Sequence, residues 1–245
     1  MVVLSGLARA ARQRRMIASD LALAIDPHYE VGNFGSLNHS QGFVKGCPMT
    51  HFKPTAIIVF LAVATIPWAS SALAYERYNA VVKFDPYFKK YTKRFFGPGF
   101  DWQHFKAQAV AESRLKARAR SRVGAVGVMQ IMPRTFREIT RKNPAIKGSR
   151  AQPRWNIAAG IYYDRLIWKV WKADRPFHDR LNFTFGAYNA GKVTIFKAQQ
   201  LAKFRGMNPN RWHSIERVLP DITGRHSRET IGYVRKITTI KEALE

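Results

Sequence analysis

The chain has 245 residues, enough for one sizeable hydrophobic core but short for two full domains. A content of 46% hydrophobic and 13% aromatic residues indicates a folded protein rather than a disordered one. The 41 basic and 16 acidic residues give a formal charge of +25, so we expect association with polyanions.

Two classes of function are disfavoured. The basic residues are spread through every predicted helix, and no helix-turn-helix, zinc-finger or ribonucleoprotein signature accompanies them, so we do not expect a nucleic-acid partner. Cys47 is the only cysteine, which excludes an intrachain disulfide and a cysteine-ligated metal site. Histidines do not cluster with ligand spacing either, and we predict neither a metal nor a cofactor.

The first part of the chain has the features of a targeting region. Residues 1–48 contain a short basic patch but no sustained period, and little in them can bury a core. From Met49 onward, Lys53 precedes an apolar run, and an A-x-A pattern ends at Ala74, as in a secretory signal peptide. We therefore predict a signal peptide at residues 49–74, cleaved after Ala74, and interpret residues 1–48 as disordered or as an over-extended gene prediction.

An alternative keeps Met1 as the start and uses the apolar run as a membrane anchor. The segment from Thr55 to Ala74 contains Pro67 and several small residues, which makes it marginal for a span of ~20 apolar residues. No cysteine follows the cleavage point, so a lipoprotein anchor is not expected. Residues 75–245 are then predicted to form the exported domain.

Helical patterns dominate residues 75–245 and strand signals are scarce, so we predict an all-α domain. A short helix near residues 86–94 leads through a turn at residues 97–99 to a second helix that Asp101 caps.

Glu112 is the acid best placed for catalysis. Phe105, Ala109 and Glu112 follow one another at spacings of four and three, which places the acid on the apolar stripe of its helix. Removal from water disfavours a charged carboxylate, so its pKa should rise towards neutral pH, as a general acid requires. From periodicity alone, the alternative is a surface glutamate at the helix end, paired with Arg114 or Arg118.

The remaining pattern predicts six further helices. One spans residues 132–141 with Pro133 in its first turn, and the next is capped by Asn156 and carries apolar residues on two faces as far as Trp171. A third helix is capped by Asp179 and ended by Gly191, and a fourth spans Val193–Lys203. A fifth spans Trp212–Leu219 and is ended by Pro220, and the last is capped by Ser227.

The residues after Glu112 form a distinctive string. Glu112 and Ser113 are followed by S-x-x-G-A-x-G-x-M-Q-x-M-P at residues 121–133, by GAYNAG at 186–191 and by RET-x-x-YV at 228–234. In order and spacing, these motifs resemble the lytic transglycosylases of the goose-lysozyme-like superfamily, the SLT domain of murein-cleaving enzymes. The resemblance covers about residues 85–240. It is strongest to the catalytic domain of the membrane-bound type F enzymes, although the chain lacks room for their substrate-binding-protein-like domain.

The resemblance implies a lysozyme-like fold and peptidoglycan lytic transglycosylase activity. Glu112 would cleave the β-1,4 bond between N-acetylmuramic acid and N-acetylglucosamine as an acid, then act as a base, so that 1,6-anhydromuramyl ends form. The residues expected to bind the glycan around it are Ser121, Met129, Gln130, Met132, Tyr188, Asn189, Glu229 and Tyr233. The expected partner is the glycan strand, bound by a monomer in the periplasm. Association with the wall or outer-membrane surface, or with a secretion apparatus, is a further hypothesis.

Two alternatives stay open at this point. A lysozyme-type muramidase would hydrolyse the same bond with water, and a wall-binding or secretion-assembly module would bind without cleaving. Hydrolysis requires a second carboxylate or a well-placed water. Asp101 is about three helical turns from Glu112, and we interpret Glu138 and Asp164 as ordinary helical residues.

Overall fold

The computed structural model describes residues 69–245. The extension at residues 1–48 and most of the signal peptide predicted at residues 49–74 lie outside the described residues. Helix α1 (Ala69–Glu76) runs across the cleavage point predicted after Ala74. Within the described part of the chain, no helix combines the length and the apolar character that crossing a membrane requires.

Residues 69–245 are built from α-helices joined by loops. After α1 come α2 (Asp85–Phe96), α3 (Gln103–Ser113), α4 (Pro133–Lys142), α5 (Pro153–Trp168), α6 (Phe177–Ala190), α7 (Lys192–Phe204), α8 (Trp212–Thr223) and α9 (Ser227–Ala243). A 3-10 turn at Gly224–His226 joins the last two. Isolated antiparallel bridges pair Val126 with Arg120 and with Ile131. The prediction of an all-α domain is confirmed.

Helix α3 lies at the centre of this arrangement. Phe105, Ala107, Ala109 and Val110 are at most 1% exposed, and Gln108 is fully buried as well. Helix α9 packs along α3 and also contacts α1, α6 and α8, while α2 packs on α5 and α3. Because α3 is covered by helices from both ends of the described sequence, its C-terminal end is placed by contacts that are distant in the chain.

An aromatic cluster fixes the start of α3. Phe96 lies 4.9 Å from Phe105 between ring centroids, and Phe100 lies 5.6 Å from Phe105 and 5.5 Å from Trp168. Each such pair adds about 0.5–1.5 kcal/mol beyond the burial of its area. The cluster therefore ties α2, α3 and α5 together at the end opposite to Glu112.

The prediction that Asn156 caps a helix is wrong. Helix α5 already begins at Pro153, where the missing N–H of proline is tolerated, and Asn156 is fully buried inside the helix. The same helix ends at Trp168, so Trp171 lies beyond it, although it is buried as expected.

Other helix ends also differ from the prediction. Helix α8 continues through Pro220 to Thr223. Asp179 lies in the first turn of α6 and accepts a hydrogen bond from the N–H of Trp212 (2.7 Å), at the start of α8. The Ser227 hydroxyl donates to the Gly224 carbonyl (2.7 Å) instead of capping α9. Asp101 does accept the N–H of Gln103 (2.9 Å) at the start of α3.

Candidate active site

Glu112 occupies the last turn of α3, where the chain turns sharply. Arg114 and Leu115 both have positive φ angles, 55° and 58°, which are uncommon for residues other than glycine. The Ser113 hydroxyl donates to the Val128 carbonyl (2.8 Å), which joins the helix end to the loop that follows. The backbone around Glu112 is thus held from both sides.

The loop at residues 119–131 is stabilised by its own polar side chains. Ser121 accepts the N–H of Ala125 through its hydroxyl (2.9 Å). The Gln130 amide donates to the carbonyls of Gly127 (2.9 Å) and Ala119 (3.3 Å). Both residues were expected to bind glycan, and the structure shows them in contacts that shape the loop.

Asn156 anchors this loop from beneath. Its side-chain oxygen Oδ1 accepts a hydrogen bond from the N–H of Met129 (2.7 Å). Its side-chain Nδ2 donates to the backbone carbonyls of Val126 and Arg150, both at 2.8 Å. Gly127 has a φ of 84°, and a Cβ on it would lie 2.6 Å from the Asn156 side chain, so only glycine fits there. The sequence interpretation missed this role, because Asn156 was taken for a helix cap.

Tyr188 reaches the same loop from α6. Its hydroxyl donates to the Met129 carbonyl (2.7 Å). The Met129 side chain, which was expected to bind the glycan, is fully buried and packs on Gly160. Met132, which was expected to bind it as well, is 37% exposed.

Helix α9 delivers Tyr233 to Glu112. The tyrosine hydroxyl donates to Oε1 of Glu112 at 2.6 Å, although 121 residues separate the two in sequence. One turn further on, Lys236 donates to the Ala111 carbonyl (3.3 Å). Asn189 of α6 accepts the hydroxyl of Thr230 (2.8 Å), which fixes α9 against the GAYNAG segment. The structure therefore brings the first and last motifs into direct contact.

The electrostatics of Glu112 suit a proton donor. Burial raises the pKa of Glu112 to about 7, while the Tyr233 hydrogen bond and the charge of Lys236 oppose this rise and the charge of Glu229 supports it. Glu229 itself is exposed, and Glu112 retains part of its surface. The carboxyl group is consequently desolvated, although the residue as a whole is only half-buried.

A second acid lies behind Glu112, and the interpretation of Asp164 as an ordinary helical residue is wrong. Asp164 is fully buried, and Gln108 donates to its Oδ1 at 3.3 Å. Asp164 Oδ2 and Gln108 Oε1 have no hydrogen-bond partner among the described residues. Burial raises the pKa of Asp164 well above its ordinary value, and the charge of Glu112 adds to the rise, so the site favours the neutral form of Asp164.

Comparison with known proteins decides the family. The sequence model of the transglycosylase SLT domain matches residues 87–210, just over half of the chain. The chain belongs to the transglycosylase SLT domain family. Most of the expected site residues of this SLT domain lie in the matched range, while Glu229 and Tyr233 lie beyond it. Among residues 69–245, the acidic, histidine and cysteine side chains form no group that could hold a metal ion.

Two curated relatives of the SLT domain carry the same name. Membrane-bound lytic murein transglycosylase F from Desulfosudis oleivorans is 33% identical over 180 residues, which cover 72% of this chain and 37% of the relative. The protein of that name from Shewanella pealeana is 29% identical over 159 residues, covering 64% of this chain and 31% of the relative. The chain thus spans about a third of the length of these relatives.

Solved structures show the same fold. The 70 kDa soluble lytic transglycosylase from Escherichia coli has a TM-score of 0.53 and 24% identity, over 66% of this chain and 24% of that chain. An inactive mutant of the lytic transglycosylase Slt from Pseudomonas aeruginosa has a TM-score of 0.52 and 22% identity, over 65% of this chain and 23% of that chain. The predicted lysozyme-like SLT fold is confirmed.

Proposed function

We propose that the protein is a peptidoglycan lytic transglycosylase in which Glu112 is both the acid and the base. The observation that carries this proposal is the desolvated Glu112 carboxyl group, with a pKa of about 7, hydrogen-bonded to Tyr233. A group with this pKa gives and accepts protons with similar ease near neutral pH. Membership of the SLT family and the names of the relatives support murein as the substrate.

In the first step, Glu112 donates its proton to the oxygen between N-acetylmuramic acid and N-acetylglucosamine. The bond from this oxygen to the muramyl C1 breaks, and the muramyl N-acetyl group stabilises the positive charge that develops there. The ionised Glu112 then removes the proton of the muramyl C6 hydroxyl as its oxygen bonds to C1. The 1,6-anhydro ring closes, no water is consumed, and Glu112 regains its proton. An intramolecular hydroxyl has a very high effective concentration, which favours ring closure over hydrolysis.

Tyr233 orients the acid for this exchange. Oε1 of Glu112 accepts the hydrogen bond from the Tyr233 hydroxyl. The proton of the Glu112 carboxyl group therefore belongs on Oε2, which can donate it to the substrate. Tyr188 acts one step further away, through the Met129 carbonyl and the loop of residues 119–131. We assign Met132, Asn189 and Glu229 to the binding of glycan around Glu112, and Ser121 and Gln130 to the support of the loop at residues 119–131.

The muramidase alternative needs a base that activates water. Asp164 does not meet this need, because it is fully buried and paired with Gln108. Glu229 is exposed, and its charge raises the pKa of Glu112, so it is the acid that could activate a water in a hydrolase. The products separate the two reactions, since hydrolysis gives reducing ends and the lytic reaction gives 1,6-anhydromuramyl ends.

Digestion of purified murein sacculi, followed by mass spectrometry of the products, tests the proposal. The wild-type protein should release anhydromuramyl products, and Glu112→Gln should lower their rate of formation by at least about 100-fold. Glu138→Gln is the matched control, because Glu138 is a solvent-exposed acid paired with Lys142 (2.7 Å). Reducing ends as the main product would favour the muramidase, and undiminished clearance by Glu112→Gln would remove Glu112 from the mechanism.

We further propose that the protein is exported to the periplasm after cleavage behind Ala74 and acts there as a monomer without a lipid anchor. The A-x-A pattern and the relatives' name as murein enzymes support a location at the wall. N-terminal sequencing of the exported protein tests the cleavage point, with Tyr75 expected as the first residue. An N-terminus at Met1 would favour the anchored alternative.

A further inference from the structure

A small pocket lined by positive charge opens next to the catalytic end of α3. We call it the cationic pocket; its volume is about 170 Å³ and its lining residues are Ala74, Tyr75, Arg77, Tyr78, Val110, Arg114 and Lys236. Sites that enclose a whole small molecule measure roughly 300–1,000 Å³. The cationic pocket is therefore sized for one charged group and its immediate stem rather than for a sugar ring.

The cationic pocket has no counter-charge within its own lining. No carboxylate lines the pocket, and Arg77, Arg114 and Lys236 take part in none of the ion pairs found in residues 69–245. Burial lowers the pKa of Lys236, the nearby charge of Arg114 lowers it further, and the charge of Glu112 opposes this decrease. Like charges held together in this way favour the binding of an anion, because an anion relieves their repulsion.

The pocket is also partly organised in advance. The Arg77 guanidinium lies over the Tyr78 ring, 5.1 Å from its centroid, and donates to the Tyr78 hydroxyl at 3.3 Å. Lys236 is held by the Ala111 carbonyl (3.3 Å). Side chains that are already ordered lose less entropy when a ligand binds.

The position of the pocket relates it to the reaction. Lys236 of the pocket follows Tyr233, the hydrogen-bond donor to Glu112, by about one helical turn of α9, and the charge of Lys236 acts on Glu112. Under the proposed function, the sugar beside Glu112 is the muramyl residue, and this residue carries the peptide stem of murein with its free carboxylates. We infer that the cationic pocket binds a carboxylate of this peptide stem, an assignment that rests on the proposed function. A free phosphate ion offers the same oxyanion chemistry.

Calorimetric titration of the exported form of the Glu112→Gln protein, which begins at Tyr75, tests the inference without cleavage of the ligand. The ligand is the disaccharide tetrapeptide of murein, either native or with its carboxylates converted to amides. Amidation should weaken binding at least about tenfold, as expected for the loss of a charge-assisted contact. Adding Arg77→Gln or Arg114→Gln should weaken binding of the native ligand by a similar factor and leave the amidated ligand unaffected.

Arg118→Gln is the matched control. Arg118 is an exposed arginine four residues after Arg114, and it does not line the cationic pocket. An equal loss for Arg118→Gln would mean general attraction by a basic surface and would overturn the inference. A second result would also overturn it: inorganic phosphate binds through Arg77 and Arg114, while the native and amidated muropeptides bind with equal affinity.

Kinetics on murein separate this inference from the proposed function. Arg114→Gln in the otherwise wild-type protein should raise the KM for native murein about tenfold, with kcat within about twofold. If no anhydromuramyl product forms but muropeptide binding still depends on carboxylates and on the pocket, the pocket assignment stands and the proposed function fails. If products form normally and the pocket variants bind and cleave like the wild type, the pocket assignment fails and the proposed function stands.

Discussion

The pKa of Glu112 is set by a few neighbours that act in opposite directions. Burial raises it to about 7, and the hydrogen bond from Tyr233 is the largest influence that opposes the rise. The hydroxyl at 2.6 Å stabilises the charged carboxylate and therefore favours ionisation. Tyr233 thus both orients the acid and limits how far its pKa rises.

Tyr233→Phe should move the pH profile of the reaction. Without the hydroxyl, the pKa of Glu112 rises further, so the alkaline decline in kcat/KM, expected near pH 7 in the wild type, shifts to higher pH. The acid also loses its orientation, and kcat at the optimum should fall by about tenfold or more. A series of kcat/KM measurements from pH 5 to 9 checks this. A decline that moves to lower pH would contradict the assigned hydrogen bond.

Glu112→Gln should change stability in a pH-dependent way. The pKa of Glu112 is raised on folding, so the folded state holds its proton more tightly than the unfolded state and wild-type stability falls as the pH rises from about 4.5 to about 7. Glutamine does not ionise, and the variant should melt at a higher temperature than the wild type at pH 8 but not at pH 4. Thermal denaturation at the two pH values measures the difference. An equal difference at both would show that ionisation of Glu112 has no part in it.

The sequence alone identified Glu112 as the candidate acid by its spacing and Tyr233 as a site residue by its motif. It did not reveal that Asp164 and Asn156 are buried and form hydrogen bonds beneath the site. Helical spacing does place Asp164 in line with Ile157 and Ile161, both fully buried. A polar residue on such a stripe is usually a surface group at its edge, and only the three-dimensional contacts with Gln108 show otherwise. The three hydrogen bonds of Asn156 connect segments that periodicity does not relate.

At the scale of helices and loops, α5 serves as the platform for the loop at residues 119–131. Asn156→Ala should destabilise the protein by roughly 2–5 kcal/mol, because it leaves the buried N–H of Met129 without a partner and removes the hydrogen bonds to the carbonyls of Val126 and Arg150. Urea denaturation measures the change in the free energy of unfolding. Asn143→Ala is the control, because the Asn143 side chain accepts one exposed hydrogen bond, from the N–H of Ala145. This substitution should lower the free energy of unfolding by less than about 1 kcal/mol. Similar costs for both variants would contradict the anchoring role.

The contact between Gln108 of α3 and Asp164 of α5 should depend on pH. Asp164→Asn keeps an acceptor for the Gln108 amide and adds a donor for its carbonyl, so its stability should match the wild type at pH 5. The pKa of Asp164 is raised on folding, and the wild type should therefore lose stability relative to Asp164→Asn as the pH rises. Guanidinium denaturation at pH 5 and pH 9 checks this.

Asp164→Leu gives a second test of the same contact. It leaves Gln108 unpaired and should cost about 1–3 kcal/mol, and the double variant Gln108→Leu with Asp164→Leu should recover much of that loss. A destabilised Asp164→Asn at pH 5 would show that the aspartate is charged there.

Helix existence was predictable from the sequence, but several helix ends were not. Capping preferences pointed to Asn156, Asp179 and Pro220, and each of these residues is used differently in the fold. Asp179, for example, accepts the N–H of Trp212 in a distant helix, and a local pattern does not reveal such a partner. Tertiary hydrogen bonds thus override the local preference.

For the molecule as a whole, α9 completes both the core and the site. Four apolar side chains of α9 and the residue after it are at most 4% exposed: Val234, Ile237, Ile240 and Leu244. Burying four such side chains contributes roughly 6–12 kcal/mol. This amount is comparable with the entire stability of a typical domain. A chain ended at residue 210, where the family match stops, should therefore not fold cooperatively, as thermal melting followed by circular dichroism can check. A sharp melting transition in that fragment would show that α9 is dispensable.

The distance along the chain between Glu112 and Tyr233 bears on when activity begins during biosynthesis. An unfinished or unfolded chain exposes Glu112 to water, where its ordinary pKa near 4.5 leaves it almost fully ionised at neutral pH and unable to protonate a sugar. Under the proposed function, Glu112 becomes able to protonate murein only when α9 docks and removes water from it. An incomplete copy of the chain would then leave the cell wall intact.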